Sequence, residues 1–345
     1  MSGQRTAVVT GATGFLGLNL VQQLTADGWR VIALRRENLR HDDLDRFDCE
    51  QAVGDILDEE SIEAAIPLGC DAVFHTAANT SVWRRQEAMQ SRVNVDGTAH
   101  VVEAVLRRGA RRLIHVSTWN VYDWSSGVVS EETPKTGGSS WIPYVRSKHE
   151  AEEVVLEAVR HQGLDAVIVN PSHIVGRYDR QNWAQLIMMT ATGTLPGVPS
   201  GAGCFAHGQA VAKAMIAAVD RGRCGENYLL GGPHATFLEF VQTVARMAHQ
   251  TKVPKRPIPT VLMKLMARIE TFMTWMSGKP PQITPEAVEM VTGRARIEST
   301  KARDELGYEP PSLEFAIRDA YDWMLREKMI FAYGRAPRVK PGARR

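Results

Sequence analysis

A tyrosine and a lysine stand four positions apart in the segment Tyr144-Val-Arg-Ser-Lys148. On a helix, positions i and i+4 share a face, so the phenol and the ammonium group point the same way. A phenol with a pKa of about 10 is a weak acid at neutral pH, and a nearby cation lowers that pKa by stabilising the phenolate. The pair therefore predicts a proton donor, in which Tyr144 delivers the proton and Lys148 holds the phenol acidic.

Such a proton donor needs a second hydroxyl group that donates to the substrate oxygen as negative charge develops there. The stretch Leu113-Ile-His-Val-Ser117-Thr118 begins as a β-branched run and ends in two hydroxyl residues. We expect this run to be a strand, so its hydroxyl groups would lie at a strand end, where active-site residues are commonly found.

A glycine-rich turn follows the first predicted strand. Thr6-Ala-Val-Val-Thr10 leads into Gly11-Ala-Thr-Gly14-Phe-Leu-Gly17 and then into an amphipathic helix. Gly11 permits a tight turn, Gly14 lets the backbone approach a pyrophosphate, and Gly17 lets helix and strand pack closely. Strand, glycine triplet and helix together predict a dinucleotide cofactor with its phosphates at the helix N-terminus. The cofactor-binding residues predicted in this turn are Gly11, Thr13, Gly14, Phe15, Leu16 and Gly17.

The second predicted strand ends in two arginines, Arg35 and Arg36. A carboxylate here would accept hydrogen bonds from the adenosine ribose, whereas guanidinium groups offer charge-assisted contacts to a 2′-phosphate. The sequence therefore favours NADP(H), and NAD(H) stays possible. We expect further cofactor contacts from Asp55, which could accept from the adenine amino group, and from its neighbour Ile56. Small residues that admit the cofactor follow the fourth strand at Ala77 and Ala78, while His75 before them is interpreted as a core histidine.

Three motifs resemble the extended branch of the short-chain dehydrogenase/reductase superfamily. The glycine spacing is GxxGxxG, Val116–Tyr122 is similar to the family segment VSSxxVYG, and Asn170–Gly176 is similar to RPxxVYGP with Asn in place of Arg. The resemblance implies that Thr118 is the catalytic hydroxyl residue and that Lys148 also hydrogen-bonds the nicotinamide ribose. It further implies that Pro171 and Ile174 lie beside the nicotinamide.

Other segments look like the dihydroflavonol reductase-like and 3β-hydroxysteroid dehydrogenase-like groups of that branch. They include Trp83, Gly231-Gly232, Pro280-Pro281-Gln-Ile-Thr-Pro-Glu and Lys301-Ala-Arg-Asp-Glu-Leu306-Gly-Tyr308-Glu-Pro310. These groups imply hydride exchange between NAD(P) and a carbonyl or secondary alcohol of a fairly apolar small molecule, by a ketone or aldehyde reductase or a 3β-hydroxy dehydrogenase. We predict a substrate pocket that contains Ser81, Trp83, Trp119 and His173, in which the indole of Trp119 would suit a planar or apolar substrate.

The sequence departs from the sugar-nucleotide dehydratases directly after the catalytic threonine. Those enzymes carry an Asp-Glu pair there, whereas this chain has Trp119 and Asn120, and neither side chain transfers a proton at neutral pH. Two other hypotheses stay open. One is an NAD-dependent sugar-nucleotide epimerase, although no ribose-binding carboxylate follows the second strand. The other is a non-catalytic NADP-binding sensor or scaffold, since a fold can keep its cofactor and lose its chemistry.

The alternation of short β-branched runs with helical patterns predicts an α/β fold, a Rossmann-type doubly wound parallel sheet with a smaller, mostly helical C-terminal substrate lobe. We predict a dinucleotide-binding domain over 1–177, completed by about 207–232, and a substrate lobe over 178–206 and 233–330. Residues 193–203 are expected to form a loop. An apolar stripe over 258–276 predicts a surface helix, and we interpret the stripe as packing onto the domain core in preference to lining the pocket.

Composition limits the remaining possibilities. The 345 residues are 44% hydrophobic and carry a net charge of +2, which gives no overall electrostatic footprint for nucleic acid. No metal-binding spacing surrounds the four cysteines, Cys49, Cys70, Cys204 and Cys224, and they predict reduced thiols in a cytoplasmic protein. We expect neither a metal nor a membrane span, a small-molecule substrate as partner, a homodimer as one possible assembly, and a flexible basic tail over 331–345.

Overall fold

The computed structural model describes residues 3–37, 42–125, 127–277, 281 and 283–331. Pro280 and the predicted basic tail from residue 332 onward lie outside these residues, and so do the side chains of 275–277. No helix in the described part of the chain combines the length and the apolar character needed to cross a bilayer. The predicted domain boundaries stay a prediction.

A parallel sheet forms the centre of the described chain. Its strands are β1 (Thr6–Thr10), β2 (Arg30–Arg35), β3 (Glu50–Val53), β4 (Ala72–His75), β5 (Leu113–Val116), β7 (Ala166–Pro171) and β10 (Asn227–Leu230), with β6 (Val128–Val129) outside it. The seven strands lie in the order β10-β7-β5-β4-β1-β2-β3, and every neighbouring pair is parallel. The order reverses between β1 and β4, which is where ligands bind in doubly wound sheets. The predicted Rossmann-type fold is confirmed.

Helices cover both faces of this sheet because successive strand residues point to opposite sides. Ala7 and Val9 of β1 join one core cluster, whereas Val8 between them joins the other. The first cluster takes in α1 (Phe15–Ala26) and α7 (Gly208–Arg221). The second is covered by α2 (Glu59–Ala65), α4 (Gly97–Arg107) and α5 (Pro143–Gln162), with the short α3 (Glu87–Ser91) before α4.

The C-terminal half is mostly helical, as predicted, and adds two small sheets. Its helices are α6 (Trp183–Thr192), α8 (Phe237–Met247), α9 (Thr260–Ser277), α10 (Pro285–Thr292), α11 (Thr300–Leu306) and α12 (Leu313–Arg326). Strands β8 (His173–Val175), β9 (Ala202–His207) and β11 (His234–Thr236) form one sheet, and β12 (Arg296–Ile297) pairs with β6. The loop predicted over 193–203 is therefore too long, because Ala202 and Gly203 already pair with β11.

The interpretation of the apolar stripe over 258–276 is wrong for most of its residues. Met263 and Ala267 of α9 pack with Val288 of α10, but the stripe residues Val261, Leu265 and Ile269 are exposed. The periodicity identified a helix with one apolar face correctly. That face points to solvent, because Met263 and Ala267 on the opposite side of the helix supply the contact with α10.

Candidate active site

A cleft of about 370 Å³ opens at the carboxyl ends of the central strands. It is bordered by the glycine turn before α1, the end of β5, the first turns of α5, and the segment after β7. Many of the residues predicted from the sequence line it together: Gly11, Thr13, Gly14, Phe15, Leu16, Gly17, Ala78, Thr118, Tyr144, Lys148, Pro171 and Ile174. Residues from five separate regions of the chain therefore share one space.

The glycine turn has a geometry that larger residues would destroy. Gly11 has φ +68°, and a Cβ there would lie 2.7 Å from the backbone nitrogen of Ala77. A Cβ at Gly17 would lie 2.2 Å from the carbonyl oxygen of Gly11. A Cβ at Gly14 would meet protein at just one atom, the oxygen of Gly11 at 3.2 Å, so it would otherwise occupy the cleft.

Helix α1 begins at Phe15 with no side-chain cap and no acidic residue in its first turn. The first N–H groups of a helix have no acceptor within it, and the helix dipole places partial positive charge there. The turn and this helix end together provide the space and the donors that a pyrophosphate requires. The residues present therefore fit a dinucleotide cofactor.

Tyr144, Lys148 and Thr118 meet at the wall of the cleft opposite the glycine turn. The side chain of Thr118 is close enough to that of Tyr144 to lower the pKa of its phenol. The ammonium group of Lys148 donates to the carbonyl oxygen of Val116 at 2.7 Å, two residues before Thr118. Helix α5 begins at Pro143, because proline is favoured in the first turn of a helix. Tyr144 and Lys148 are therefore both helical and four residues apart, as predicted.

The electrostatic balance of Tyr144 differs from the prediction. Burial raises the pKa of its phenol, and the side chain of Thr118 offsets part of that rise. Lys148 is itself buried, which lowers the pKa of its ammonium group to about 8. Desolvation of the phenol therefore dominates the pKa of Tyr144, while the ammonium group of Lys148 is held at the Val116 carbonyl.

Two asparagines that sequence reasoning did not place in the site hold Thr118. The side-chain amide of Asn120 donates to the Thr118 hydroxyl oxygen at 3.1 Å. Because that oxygen accepts from Asn120, its own hydrogen is free to point into the cleft or to Tyr144. The amide of Asn170 donates to the Thr118 carbonyl oxygen at 3.2 Å. The RPxxVYGP motif has an arginine at this position, and the asparagine that replaces it here was the sequence signal for the second contact.

A buried ion pair lies directly behind these residues. Glu152, one helical turn beyond Lys148, is 0% exposed, and its carboxylate accepts from Lys135 Nζ at 2.6 Å and from the Asn170 amide. Lys135 Nζ also donates to Asn227 Oδ1 at 2.9 Å, and Asn227 in turn donates to Asn170 at 2.8 Å. The negative charge of Glu152 opposes the effect of burial and raises the pKa of Lys148.

His75 is a core histidine, as interpreted from the sequence. One ring nitrogen is hydrogen-bonded to the Thr10 hydroxyl at 2.8 Å and the other to the Thr98 hydroxyl at 3.0 Å. Burial, reinforced by the charge of Lys148, lowers its pKa to about 3, so the ring is neutral at physiological pH. Both nitrogens are occupied, and His75 has no free position for proton transfer.

Five other residues predicted to bind the cofactor are not among the described residues that line the cleft. Arg35 Nε donates to Gln51 Oε1 at 2.9 Å, and Arg36 is exposed. Asp55 accepts from the backbone N–H of Leu57 at 3.0 Å, Ile56 is buried, and Ala77 packs against Gly11. The contacts proposed for these five residues stay predictions.

The four residues predicted for the substrate pocket also lie outside the described lining of the cleft. The Ser81 hydroxyl accepts from the N–H of Trp83, and the Trp83 ring lies near the guanidinium of Arg85. Trp119 is buried, because it packs with the cluster formed by Val121, Tyr122, Val129, Leu229 and Ala295. His173 contacts the ring of Trp119 edge-on at 6.1 Å, and burial lowers its pKa to about 4. Their role in substrate binding stays a prediction.

Residues 178–182 form a side of the cleft that the sequence did not reveal. Tyr178 has φ +72°, a left-handed conformation that is uncommon for a bulky residue. Asp179 is buried, and its carboxylate accepts from the N–H groups of Gln181, Asn182 and Ala184, each at 3.0 Å. An aspartate shortly before a helical pattern was the available signal, since such residues cap helices.

Comparisons with known proteins agree with this geometry. The sequence model described as the NAD dependent epimerase/dehydratase family matches residues 7–231. The chain is 33% identical over 333 residues to sterol demethylase protein B of Methylococcus capsulatus, covering 94% of this chain and 100% of the relative. It is 29% identical over 328 residues to a putative dihydroflavonol 4-reductase of Synechocystis, covering 91% and 93%. The crystal structure of gox2253 superimposes with a TM-score of 0.82 at 30% identity, covering 94% of this chain and 99% of that one.

Proposed function

The chain belongs to the NAD-dependent epimerase/dehydratase family of NAD(P)-dependent oxidoreductases, and we propose that it reduces a carbonyl, or oxidises the corresponding secondary alcohol, on a fairly apolar small molecule. The observation that carries this proposal is the meeting of Thr118, Tyr144 and Lys148 in one cleft with the glycine turn. Two hydroxyl groups in the same cleft as a nucleotide-binding turn are suited to carbonyl chemistry.

In the reduction, the substrate oxygen accepts hydrogen bonds from the hydroxyl groups of Thr118 and Tyr144. The residues of the glycine turn would hold a nicotinamide cofactor, which would supply the hydride to the carbonyl carbon. Tyr144 transfers its proton to the substrate oxygen, so that an alcohol forms. The ammonium group of Lys148 stabilises the tyrosinate left behind, and the proton is regained from solvent. Asn120 keeps the Thr118 hydroxyl oriented as a donor, because it occupies a lone pair on that oxygen.

The substrate class is supported by the names of two relatives, a sterol demethylase protein and a dihydroflavonol reductase, which both refer to molecules built on fused rings. Trp119 and Asn120 occupy the positions where dehydratases carry their Asp-Glu pair, which supports redox chemistry over loss of water. The four free cysteines fit a reducing compartment such as the cytoplasm, and that location remains our expectation.

The test is the substitution Tyr144→Phe, followed by the oxidation of NADPH with a panel of ketones, aldehydes and sterol-like compounds. We expect turnover to fall at least about 100-fold while the Kd for NADPH stays within a factor of two, because a proton donor contributes factors of this size. Tyr122→Phe is the matched control, since the Tyr122 hydroxyl is buried near Thr118 and has no hydrogen-bond partner among the described residues. Full activity of Tyr144→Phe would show that another group delivers the proton. A wild type that binds NADPH but turns over no compound in any direction would favour a sensor.

We further propose that the cofactor is NADP(H), because Arg35 and Arg36 end the strand that carries the adenosine end in this fold. Replacing Arg36 with Ala should raise the Kd for NADPH about 10-fold and leave the Kd for NADH unchanged, since one charge-assisted hydrogen bond is lost. Fluorescence titration of both nucleotides measures the two constants, with Arg318→Ala on α12 as the exposed-arginine control. Equal losses for both nucleotides would refute a 2′-phosphate contact.

A further inference from the structure

Helix α9 presents a row of apolar side chains to solvent. Val261 is 82% exposed, Ile269 is 56% exposed, and the others in the row are exposed as well: Leu262, Leu265, Met266 and Met273. At about 100° per residue, these six positions fall within an arc of about 140° on one side of the helix. Single exposed apolar residues are normal on proteins, but a continuous face of this kind marks an interaction surface.

The face is held rigidly by the rest of the lobe. On the opposite side of α9, Met263 and Ala267 pack with Val288 of α10. The Thr260 hydroxyl at the start of the helix is hydrogen-bonded to Ser200 at 2.8 Å. The helix therefore cannot turn its apolar arc inward without breaking these contacts.

Basic side chains lie in the segment before α9 and along one flank of the apolar arc. Residues 251–274 contain five basic side chains, Lys252, Lys255, Arg256, Lys264 and Arg268, against one acidic one, Glu270. The carboxylate of Glu270 is turned to the protein, where it accepts from the N–H of Ile283. Lys264 is paired with Glu289 of α10 at 3.2 Å, so it contributes less than the other four. Lys252, Lys255, Arg256 and Arg268 are exposed and carry no ion pair within the described chain.

We propose that α9 is a membrane-docking helix that lies in the interface of a bilayer with anionic headgroups. Its apolar arc would enter the boundary between headgroups and acyl chains, while the basic side chains contact the lipid phosphates and carboxylates. A second copy of this chain fits the surface less well. An isologous contact through the same face would bring two segments of equal positive charge together. The proposal concerns a surface outside the cleft and does not depend on the reaction.

The experiment is co-sedimentation of the full chain with vesicles of phosphatidylcholine, with and without about 30% phosphatidylserine. We expect binding to the anionic vesicles that is at least 10-fold tighter than to the neutral ones and that weakens at high salt, because screening removes the electrostatic part. The double substitution Leu265→Glu/Ile269→Glu should weaken binding at least 10-fold. Leu68→Glu/Phe315→Glu, which places the same charges at exposed apolar residues elsewhere, should bind as the wild type does.

Each other outcome overturns the proposal. Equal binding by the wild type and the α9 variant shows that lipids bind elsewhere, and absence of binding to anionic vesicles shows that they do not bind. A wild type that sediments as a dimer in ultracentrifugation, with a monomeric α9 variant, assigns the face to a second copy. Thermal unfolding of the variants confirms that they fold. The vesicle experiment contains no substrate, so its result does not depend on catalysis. A protein that binds vesicles but has no enzymatic activity would contradict the proposed function and leave the membrane-docking proposal intact.

Discussion

Helix α5 buries a lysine and a glutamate, whereas helix α9 exposes six apolar side chains. Lys148 is 2% exposed and Glu152 is 0% exposed, although charged residues are almost never fully buried unless they are paired. On α9, Val261 and its five neighbours on the arc face solvent in the part of the chain that the structure describes. Both helices thus reverse the usual relation between polarity and burial, in opposite directions.

The difference lies in where the partners are. Every buried charge on α5 is satisfied within the chain, Lys148 by the Val116 carbonyl and Glu152 by Lys135, Asn170 and Asn227. The apolar arc of α9 has no such cover among the described residues. Burying a charged side chain costs free energy, so such a residue is expected where the local chemistry requires its charge. Exposing apolar surface to water also costs free energy, and binding of a partner that covers the surface removes this cost. The first helix therefore points to catalysis and the second to binding.

The largest expected effect tests the ion pair behind α5. Replacing Lys135 with Met should destabilise the protein by about 3 kcal/mol, because the carboxylate of Glu152 loses its counter-ion in a buried site. Urea unfolding followed by fluorescence measures the loss. The control is Lys264→Met, which removes an exposed partner of Glu289 and should cost less than about 1 kcal/mol. If Lys135→Met and Lys264→Met both lose less than about 1 kcal/mol of unfolding free energy, Glu152 does not need the charge of Lys135.

A smaller effect should appear in the pH dependence of turnover. The negative charge of Glu152 raises the pKa of Lys148, which burial holds at about 8, so Glu152→Gln should lower that pKa. Activity that requires the ammonium form is lost as pH rises through this pKa. The alkaline limb of kcat/KM should therefore move to lower pH, by about one unit or less. Glu150→Gln, an exposed carboxylate two residues earlier, should leave the limb in place. If the alkaline limb of kcat/KM lies at the same pH in Glu152→Gln as in the wild type, Glu152 has only a structural role.

The same two helices show how far the sequence alone could lead. The Tyr-x-x-x-Lys spacing and the glycine triplet predicted the two sides of the cleft, because both depend on local backbone geometry. Lys135 and Asn227 could not be predicted, since they reach Glu152 across 17 and 75 positions of the chain. The hydrophobic pattern of residues 258–276 predicted an amphipathic helix. Periodicity shows that a helix has an apolar face, but it does not show whether the protein buries that face. Which face the protein covers is decided by tertiary packing against α10.

The smallest expected effect concerns the stability contributed by the exposed arc. Val261→Thr exchanges side chains of nearly equal size at an exposed position, and should change the free energy of unfolding by less than about 0.5 kcal/mol. The same exchange at Val288, which is buried under α9, should cost about 1 kcal/mol or more, because it introduces a hydroxyl group into an apolar cluster. Urea unfolding of the two variants compares the two faces with one chemical change. Equal costs would show that another part of the chain covers the arc, and the apolar face of α9 would then belong to the folded core.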